Sequence, residues 1–430
     1  TLALDARRTM KRGPEGILAR QRSRVAEMVA FARTHSPFYR NLYAGLPDRV
    51  EDASLLPVTD KKLLMAHFDD WVTDREVRFE EVRSFIADPQ RIGHRFRGQY
   101  LACSTSGTTG TRGVFLLDRR TYAAIGALSA RKTLRSLRVG DVFRLASRGF
   151  RAALILATGD HFSGYNAAVN QQLTHWAAAK LLRILSVHSP LTELVAELNA
   201  YQPATIMGYA RTIAQLAEEQ NAGRLRVKPA VVIVTAETLE LDEYGNLAKS
   251  FGARVLNHYG STEAPELSFD CEHGWHHVNA DWYVFEPVDA AYRPTPPGER
   301  SHTVLVTNLI NRVQPILRYD LGDSVLQRPD PCPCGIPLPA FRVQGRASEV
   351  VTLQSNGKLV SIAPLVFFVV LYRIHGAAKY QVVQVRPDAL RIRFTTADGA
   401  DPNQVWDEIS AKMREVLVGN GVGNVLIERA

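Results

Sequence analysis

Residues Ser104 to Gly113 read STSGTTGTRG, a run of small hydroxylated residues and glycines. Such a run lets backbone N–H groups and side-chain hydroxyls close around phosphate oxygens without steric obstruction. It departs from the GxxxxGK[ST] phosphate loop, because Arg112 takes the late basic position and a strand-like run follows. A turn-rich surface hairpin is the plainer alternative. YGSTE, Tyr259 to Glu263, sets the Glu263 carboxylate beside Thr262. A carboxylate facing a polyphosphate implies Mg²⁺ between them, and the alternative is a helix-opening Ser/Thr with Glu in its first turn. RYDLGD, Arg318 to Asp323, places Asp323 behind a glycine turn, where it suits a ribose diol, and Arg346 is a permanent cation for ribose or phosphate oxygens. Either is otherwise a surface ion pair. CEHGWHH and PCPCG supply Cys271, Cys332 and Cys334 with His277, or His273 or His276, a tetrahedral Cys₃His set for structural Zn²⁺ that leaves no open coordination position. Reduced cysteines in turns are the alternative, and Cys103 is expected in the core.

These residues need elements to hold them. QYLAC (99–103) and VFLLD (114–118) are strand-like, so STSGTTGTRG is expected to link two strands. From about Leu181 to Gly260 the pattern alternates: strand LLRILSV, helix LTELVAELNA, strand ATIMGY, helix RTIAQLAEEQ, strand AVVIVTAE, helix LDEYGNLAKSFG, strand ARVLNHYG. That alternation predicts a parallel, doubly wound sheet with its ligand crevice outside the carboxyl ends of the strands. Gly208-Tyr209, Thr235-Ala236-Glu237 and His258 to Glu263 then converge on one crevice, with Phe162, Tyr165, Asn166, Gly208, Tyr209 and His258 as candidate lining for an acyl pocket. Ordinary core aromatics are the alternative. Residues 1–97 read as a mainly helical preface, and past Arg346 the texture becomes small α+β: strands YQVVQVR and LRIRFTT, then a helix with Asp401 as N-cap and Pro402 in its first position. The expected division is 1–345 and 346–430.

The chain has 430 residues, enough for one large and one small domain, and 46% hydrophobic against 22% charged residues argues against disorder. The net charge of +8 is not read as a nucleic-acid surface, because a polyphosphate site explains part of it. No apolar run is long enough to span a membrane; LVFFVVLY at Leu365 to Tyr372 is far too short. The Arg-rich N-terminus lacks the apolar centre of a secretory signal, and its Ile17, Leu18, Val25, Met28 and Val29 recur at helical spacing, which predicts a surface helix. Four cysteines make no disulfide framework, so a cytoplasmic setting is expected.

SPFYRNLY, LPVTDKKLL, STSGTTG, TAETL at Thr235 to Leu239, YGSTE, RYDLGD and GRASEVV, in this order, resemble the adenylate-forming superfamily of acyl-CoA synthetases, adenylation domains and luciferases, and most of all its phenylacetate–CoA ligase branch. The resemblance covers nearly the whole chain. It implies an α/β fold, a large N-terminal domain with a small C-terminal lid, and a two-step reaction. A small acid, aryl or aliphatic, and ATP give acyl-AMP and pyrophosphate, and CoA then displaces AMP. By similarity Ser104, Thr105, Ser106, Gly107, Thr108, Thr109 and Gly110 hold the β- and γ-phosphates, Ala236 and Glu237 flank the adenine and Tyr259 stacks on it. Gly260 and Ser261 border the nucleotide, Thr262 meets the α-phosphate, Glu263 binds Mg²⁺, and Asp323 and Arg346 hold the ribose. The CxxGxxH spacing of related ligases favours His277 as the fourth zinc ligand. Related ligases suggest a homodimer.

Two departures follow. The family's lysine, just after a glycine near the C-terminus, bridges the acyl carboxylate and the α-phosphate; Lys358, Lys379 and Lys412 lie too early and the sequence ends in VGNVLIERA. Either the lysine lies beyond residue 430, with the small domain truncated in this sequence, or it is absent and adenylation is expected to be severely slowed. GRASEVV also has Ser348 and Glu349 where the family shows acidic hinge residues. Two rivals therefore stand: an enzyme passing its acyl group to a carrier protein or adenylating an unusual anion, and an acyl-adenylate-binding protein without turnover.

Overall fold

The computed structural model describes residues 9, 11–105, 112–235, 241–346, 351–355, 358–362, 367, 371, 374 and 376–430. The preface is helical as its apolar spacing predicts. Helix α1 (Gly13–His35) buries Ile17, Val25, Met28 and Val29 and leaves Leu18 exposed, so it lies on the surface with one face anchored in the core. It is followed by α2 (Pro37–Leu42), α3 (Lys61–Ala66), α4 (Phe68–Trp71) and α5 (Phe79–Ile86). Asp60 caps α3 by accepting from the Leu63 N–H at 2.7 Å. Tyr39 and Trp71, both fully buried, donate to the same carbonyl, Pro315 O, at 2.8 and 2.7 Å. Each such ring contributes about 1.5–3 kcal/mol by burial, and its polar atom is satisfied, so these two rings tie the preface to the body without orphaning their own donors.

Strands β1 (Leu101–Ser104) and β2 (Val114–Leu117) pair antiparallel, with Ser104 opposite Val114. The glycine-rich run therefore does link two strands; its residues 106–111 lie outside the described residues. Asp118 caps α6 (Arg119–Ser136), which leads to α7 (Val139–Ser147). A five-stranded parallel sheet follows: β3 (Ala152–Leu156), α8 (Ser163–Thr174), α9 (Trp176–Leu181), β4 (Leu182–Ser186), α10 (Leu191–Tyr201), β5 (Thr205–Tyr209), α11 (Ala210–Asn221), β6 (Val231–Thr235), α12 (Leu241–Phe251) and β7 (Arg254–His258). Its order, β4-β3-β5-β6-β7, reverses direction between β3 and β5. That reversal point is where ligands bind in doubly wound sheets. Ala153, Ile155, Ile206, Val232 and Val234 pack on one face against Leu198, Ile213, Leu216 and Phe251 of α10, α11 and α12.

Beyond β7 the chain turns antiparallel. β8 (Ser268–Asp270), β9 (His276–Val278), β13 (Asp323–Gln327) and β14 (Ala340–Arg346) form one sheet, and β10 (Tyr283–Val288), β11 (Thr303–Asn308) and β12 (Ile316–Asp320) another. The second shares the large core with the N-terminal helices. The last residues have a core of their own: Leu353, Ile392, Ile409 and Met413 from β15 (Val351–Ser355), β16 (Lys358–Ile362), β17 (Ala377–Arg386), β18 (Ala389–Thr396), α13 (Pro402–Gly419) and β19 (Leu426–Arg429). Asp401 caps α13 as its sequence predicts. Among the described residues no helix is long and apolar enough to cross a membrane.

Candidate active site

Three of the expected nucleotide residues meet at the end of β7. Tyr259 donates to Asp323 Oδ2 at 2.7 Å, and Arg346 Nε lies 3.3 Å from Asp323 Oδ1. The register explains the meeting: Asp323 opens β13, Arg346 closes β14, and the two are direct cross-strand partners. Gly322, at φ 76°, supplies the left-handed turn that delivers Asp323 into the strand. Burial and the neighbouring Asp323 carboxylate hold the Tyr259 phenol far above its ordinary range, so it stays a donor.

Glu263 sits in a turn beyond β7. No helix opens at YGSTE, which removes the capping alternative. The carboxylate is nearly enclosed, accepts from the Tyr319 hydroxyl at 3.2 Å and lies 3.4 Å from Lys61 Nζ, while Asn308 Nδ2 donates to its backbone carbonyl at 2.8 Å. Thr262 and Ser261 are half-buried beside it, and Gly260 is exposed. Lys61, the first residue of α3, is a neighbour of Glu263 that the sequence did not reveal. Its segment, LPVTDKKLL, entered only as part of the family resemblance, and nothing local points a lysine at a carboxylate about 200 positions away.

Ser104 closes β1, and its hydroxyl accepts from Arg112, which also pairs with Asp160. Thr105 Oγ1 accepts from the Gly113 N–H at 2.9 Å. Ser106, Gly107, Thr108, Thr109, Gly110, Ala236, Glu237 and the hinge residues Ser348 and Glu349 lie outside the described residues.

The acyl-pocket candidates divide. Tyr209 and His258 end β5 and β7 on one face of the sheet, while Phe162 and Tyr165 sit half-buried at the start of α8. Gly208 points to the opposite face, where a Cβ would meet Ile213 at 3.2 Å and Ile155 at 3.4 Å. Asn166 is fully buried and spends its amide on backbone, donating to Ala102 O and accepting from the Gly93 N–H. Neither of these two lines the pocket with a side chain. A second unforeseen residue, Lys132 of α6, reaches the same point: Nζ is 3.0 Å from His258 Nδ1 and 3.3 Å from Glu266 Oε2. Burial first, and the Lys132 cation second, push the His258 imidazole down to about 3, so the ring is neutral at physiological pH. Burial raises the Glu266 carboxyl.

The metal candidate converges. The ligand atoms of Cys271, His277, Cys332 and Cys334 all lie within 4.8 Å of one another, with Cys334 Sγ 3.2 Å from His277 Nε2 and Cys271 Sγ 3.7 Å from Cys332 Sγ. Two left-handed glycines make this possible: Gly274 (φ 67°) and Gly335 (φ 74°) close turns onto Cys271 O and Cys332 O. His277 Nδ1 is 3.1 Å from Leu338 O, which fixes that nitrogen as the donor and leaves Nε2 for a metal. His276 instead faces Tyr259 and Phe341, and His273 is exposed beside Glu272. Burial pushes the Cys271 thiol up to about 12, and the thiols of Cys334 and Cys332 push the same way, so thiolates here require a cation. The donor set fits Zn²⁺.

No family model matches the chain. It is 22% identical over 405 residues to protein CapK of Staphylococcus aureus, spanning 92% of this chain and 82% of that one. It is 24% identical over 336 residues to a phenylacetate-coenzyme A ligase of Thermus thermophilus, spanning 75% and 68%. Among solved structures it superposes with a TM-score of 0.69 on 2-hydroxyisobutyryl-CoA ligase in its postadenylation state with R3-HIB-AMP, at 20% identity over 97% of this chain and 85% of that one. The chain therefore has the fold of the adenylate-forming acyl-CoA ligases, and its sequence likeness extends to the phenylacetate–CoA ligase branch.

Proposed function

We propose that the protein is an AMP-forming acid–CoA ligase. The observation that carries this reading is the Tyr259–Asp323–Arg346 constellation at the carboxyl end of β7, with the enclosed Glu263 carboxylate four residues along the chain. Asp323 would accept from the ribose hydroxyls and Arg346 would hold it in place. Thr262 would meet the α-phosphate, with the phosphate loop beginning at Ser104. An oxygen of the acid's carboxylate attacks the α-phosphorus of ATP, the bond to the β-phosphate oxygen breaks, and pyrophosphate leaves. A CoA thiolate then attacks the acyl carbon and AMP leaves, the thiol proton passing to solvent. The chemistry needs orientation and charge neutralisation more than it needs a strong base.

Glu263 would be the residue for Mg²⁺, a reading supported by its nearly enclosed carboxylate beside Thr262; in this structure that carboxylate lies 3.4 Å from Lys61 Nζ. Mg²⁺ would neutralise the phosphates. Cys271, His277, Cys332 and Cys334 would hold a structural Zn²⁺. Residues 1–345 and 346–430 are proposed as the two domains, supported by the separate core of the second. CoA as acceptor rests on the two CoA ligases named above.

Exchange of radiolabelled pyrophosphate into ATP, driven by a panel of carboxylic acids, tests the reading. Acid-dependent exchange is expected, and Glu263→Gln should reduce it about 100-fold or more with an unchanged circular-dichroism spectrum. The absence of exchange with every acid in the panel would overturn the ligase assignment.

A further inference from the structure

One face of the parallel sheet is filled by α10, α11 and α12, and the other is not. On that other face the register aligns one side chain from each strand into a row across the sheet: Ile184, Leu154, Met207, Ile233 and Leu256. All five are apolar, yet only Leu256 is buried; the rest are half-buried, and Ile184, Leu154 and Met207 join none of the hydrophobic cores among the described residues. Central strands of a doubly wound sheet ordinarily carry helices on both faces. Here the covering helices stand around the row. Leu145 of α7 packs with Ile233 against Val231 and Leu256. The first turn of α8 lies at the top of β3, where a Cβ on Gly164 would sit 3.8 Å from Leu156. Lys132 of α6 closes the β7 side at His258.

The row has a defined position relative to the proposed chemistry. Tyr209, Thr235 and His258 are neighbours in the register on the same face, two residues further along each strand. The apolar row thus forms a floor about 7 Å below the candidate acyl-pocket residues, and the amino ends of the strands lie about 13 Å below those same residues. The elements around it are apolar outward as well. Seven of the thirteen large apolar residues exposed among the described residues fall between Val139 and Leu181, including Phe143 at 72% and Trp176 at 78%. An aryl or short acid would leave this floor wet.

We infer that the acid carries a long alkyl chain, with its carboxylate at the adenylate site and its tail on the floor made by Leu154, Met207 and Ile233. The inference rests on the ligase reading and deepens it by naming the substrate class. Each methylene laid on the floor adds about four-fold in affinity. The KM for straight-chain acids is therefore expected to fall about four-fold per carbon until the floor is covered, and then to level.

The test compares exchange driven by straight-chain acids from acetate to palmitate with that driven by phenylacetate, in the full chain and in Met207→Trp and Leu154→Phe, two variants in case one fails to fold. A KM falling with chain length, and an optimum moved to shorter acids in either folded variant, supports the inference. Exchange with phenylacetate or short acids alone, unmoved by the variants, overturns it while leaving the ligase reading intact. If no acid drives exchange, the ligase reading fails, and binding of dansyl-undecanoic acid decides the inference: fluorescence enhancement that Met207→Trp reduces supports a chain site, and no enhancement overturns it. A Met207→Trp protein that loses only self-association, with acid choice unchanged, also overturns it.

Discussion

His258 is held neutral between a cation and an enclosed carboxylate, and that costs stability in acid. Its folded pKa, about 3, lies below the ordinary imidazole value of about 6.5, so the unfolded chain binds a proton that the folded chain refuses. The associated stability is fully present above about pH 6.5 and is lost as the pH falls toward 3. His258→Gln should flatten this limb: its urea midpoint is expected to drop less between neutral pH and about pH 4.5 than that of the parent protein. An equal drop in both would show that the ring is not the titrating group. Residues named by a local motif were brought together as the sequence grouped them: Asp323 with Arg346, and Cys271 and His277 with Cys332 and Cys334. Lys61, Lys132 and Glu266 were not legible in the sequence, because each finds its partner only after folding. Asn166 was misread for the same reason: its partners, Gly93 and Ala102, sit more than sixty residues away, and an amide in sequence does not disclose whether it serves a ligand or the backbone.

At the scale of elements, the four candidate metal ligands come from two hairpin-like segments. Cys271 and His277 bracket the turn between β8 and β9, while Cys332 and Cys334 lie between β13 and β14, which carry Asp323 and Arg346. The sheet order β13-β14-β9-β8 makes these segments neighbours, so a metal held there would clip together the strands that present Asp323 and Arg346. Protein purified without chelators is expected to contain one zinc per chain by elemental analysis. Cys334→Ser should lower that content, lower the melting temperature by several degrees and raise the KM for ATP, since structural zinc contributes directly to folding. Metal-free protein with an unchanged melting temperature would refute the clip. The alternating strands and helices from β4 to β7 were legible because their apolar runs are bounded and rich in β-branched residues. β3 was not: AALIL is a five-residue run rich in alanine and leucine and poor in β-branched residues, though it is the second strand of the sheet and sets the reversal point. The short strands β8 and β9, three residues each, carry too little pattern to read.

At the scale of the molecule, α1 is bound to the body by a buried charge cluster. Arg131 makes two bonds to Asp281, at 2.8 and 2.7 Å, Arg24 lies 3.7 Å from the same carboxylate, and the Arg24 guanidinium stacks over Trp282. Both arginines and Asp281 are nearly inaccessible to water. Removing the carboxylate leaves two buried cations facing each other, so Asp281→Ala is expected to cost about 3–5 kcal/mol in urea unfolding, far more than Asp289→Ala at an exposed Arg293 pair. Equal costs would mean that the cluster does not hold α1.

The partners of that cluster also set a timetable. Gln21 bonds Ala280 and Tyr283 across 259 and 262 residues, and Tyr39 and Trp71 await Pro315. During synthesis the first helices leave the ribosome long before anything exists for them to dock on. At about 5–20 residues per second, their apolar faces stay uncovered for more than ten seconds, so the emerging chain should depend on holdase chaperones until residue 315 has appeared.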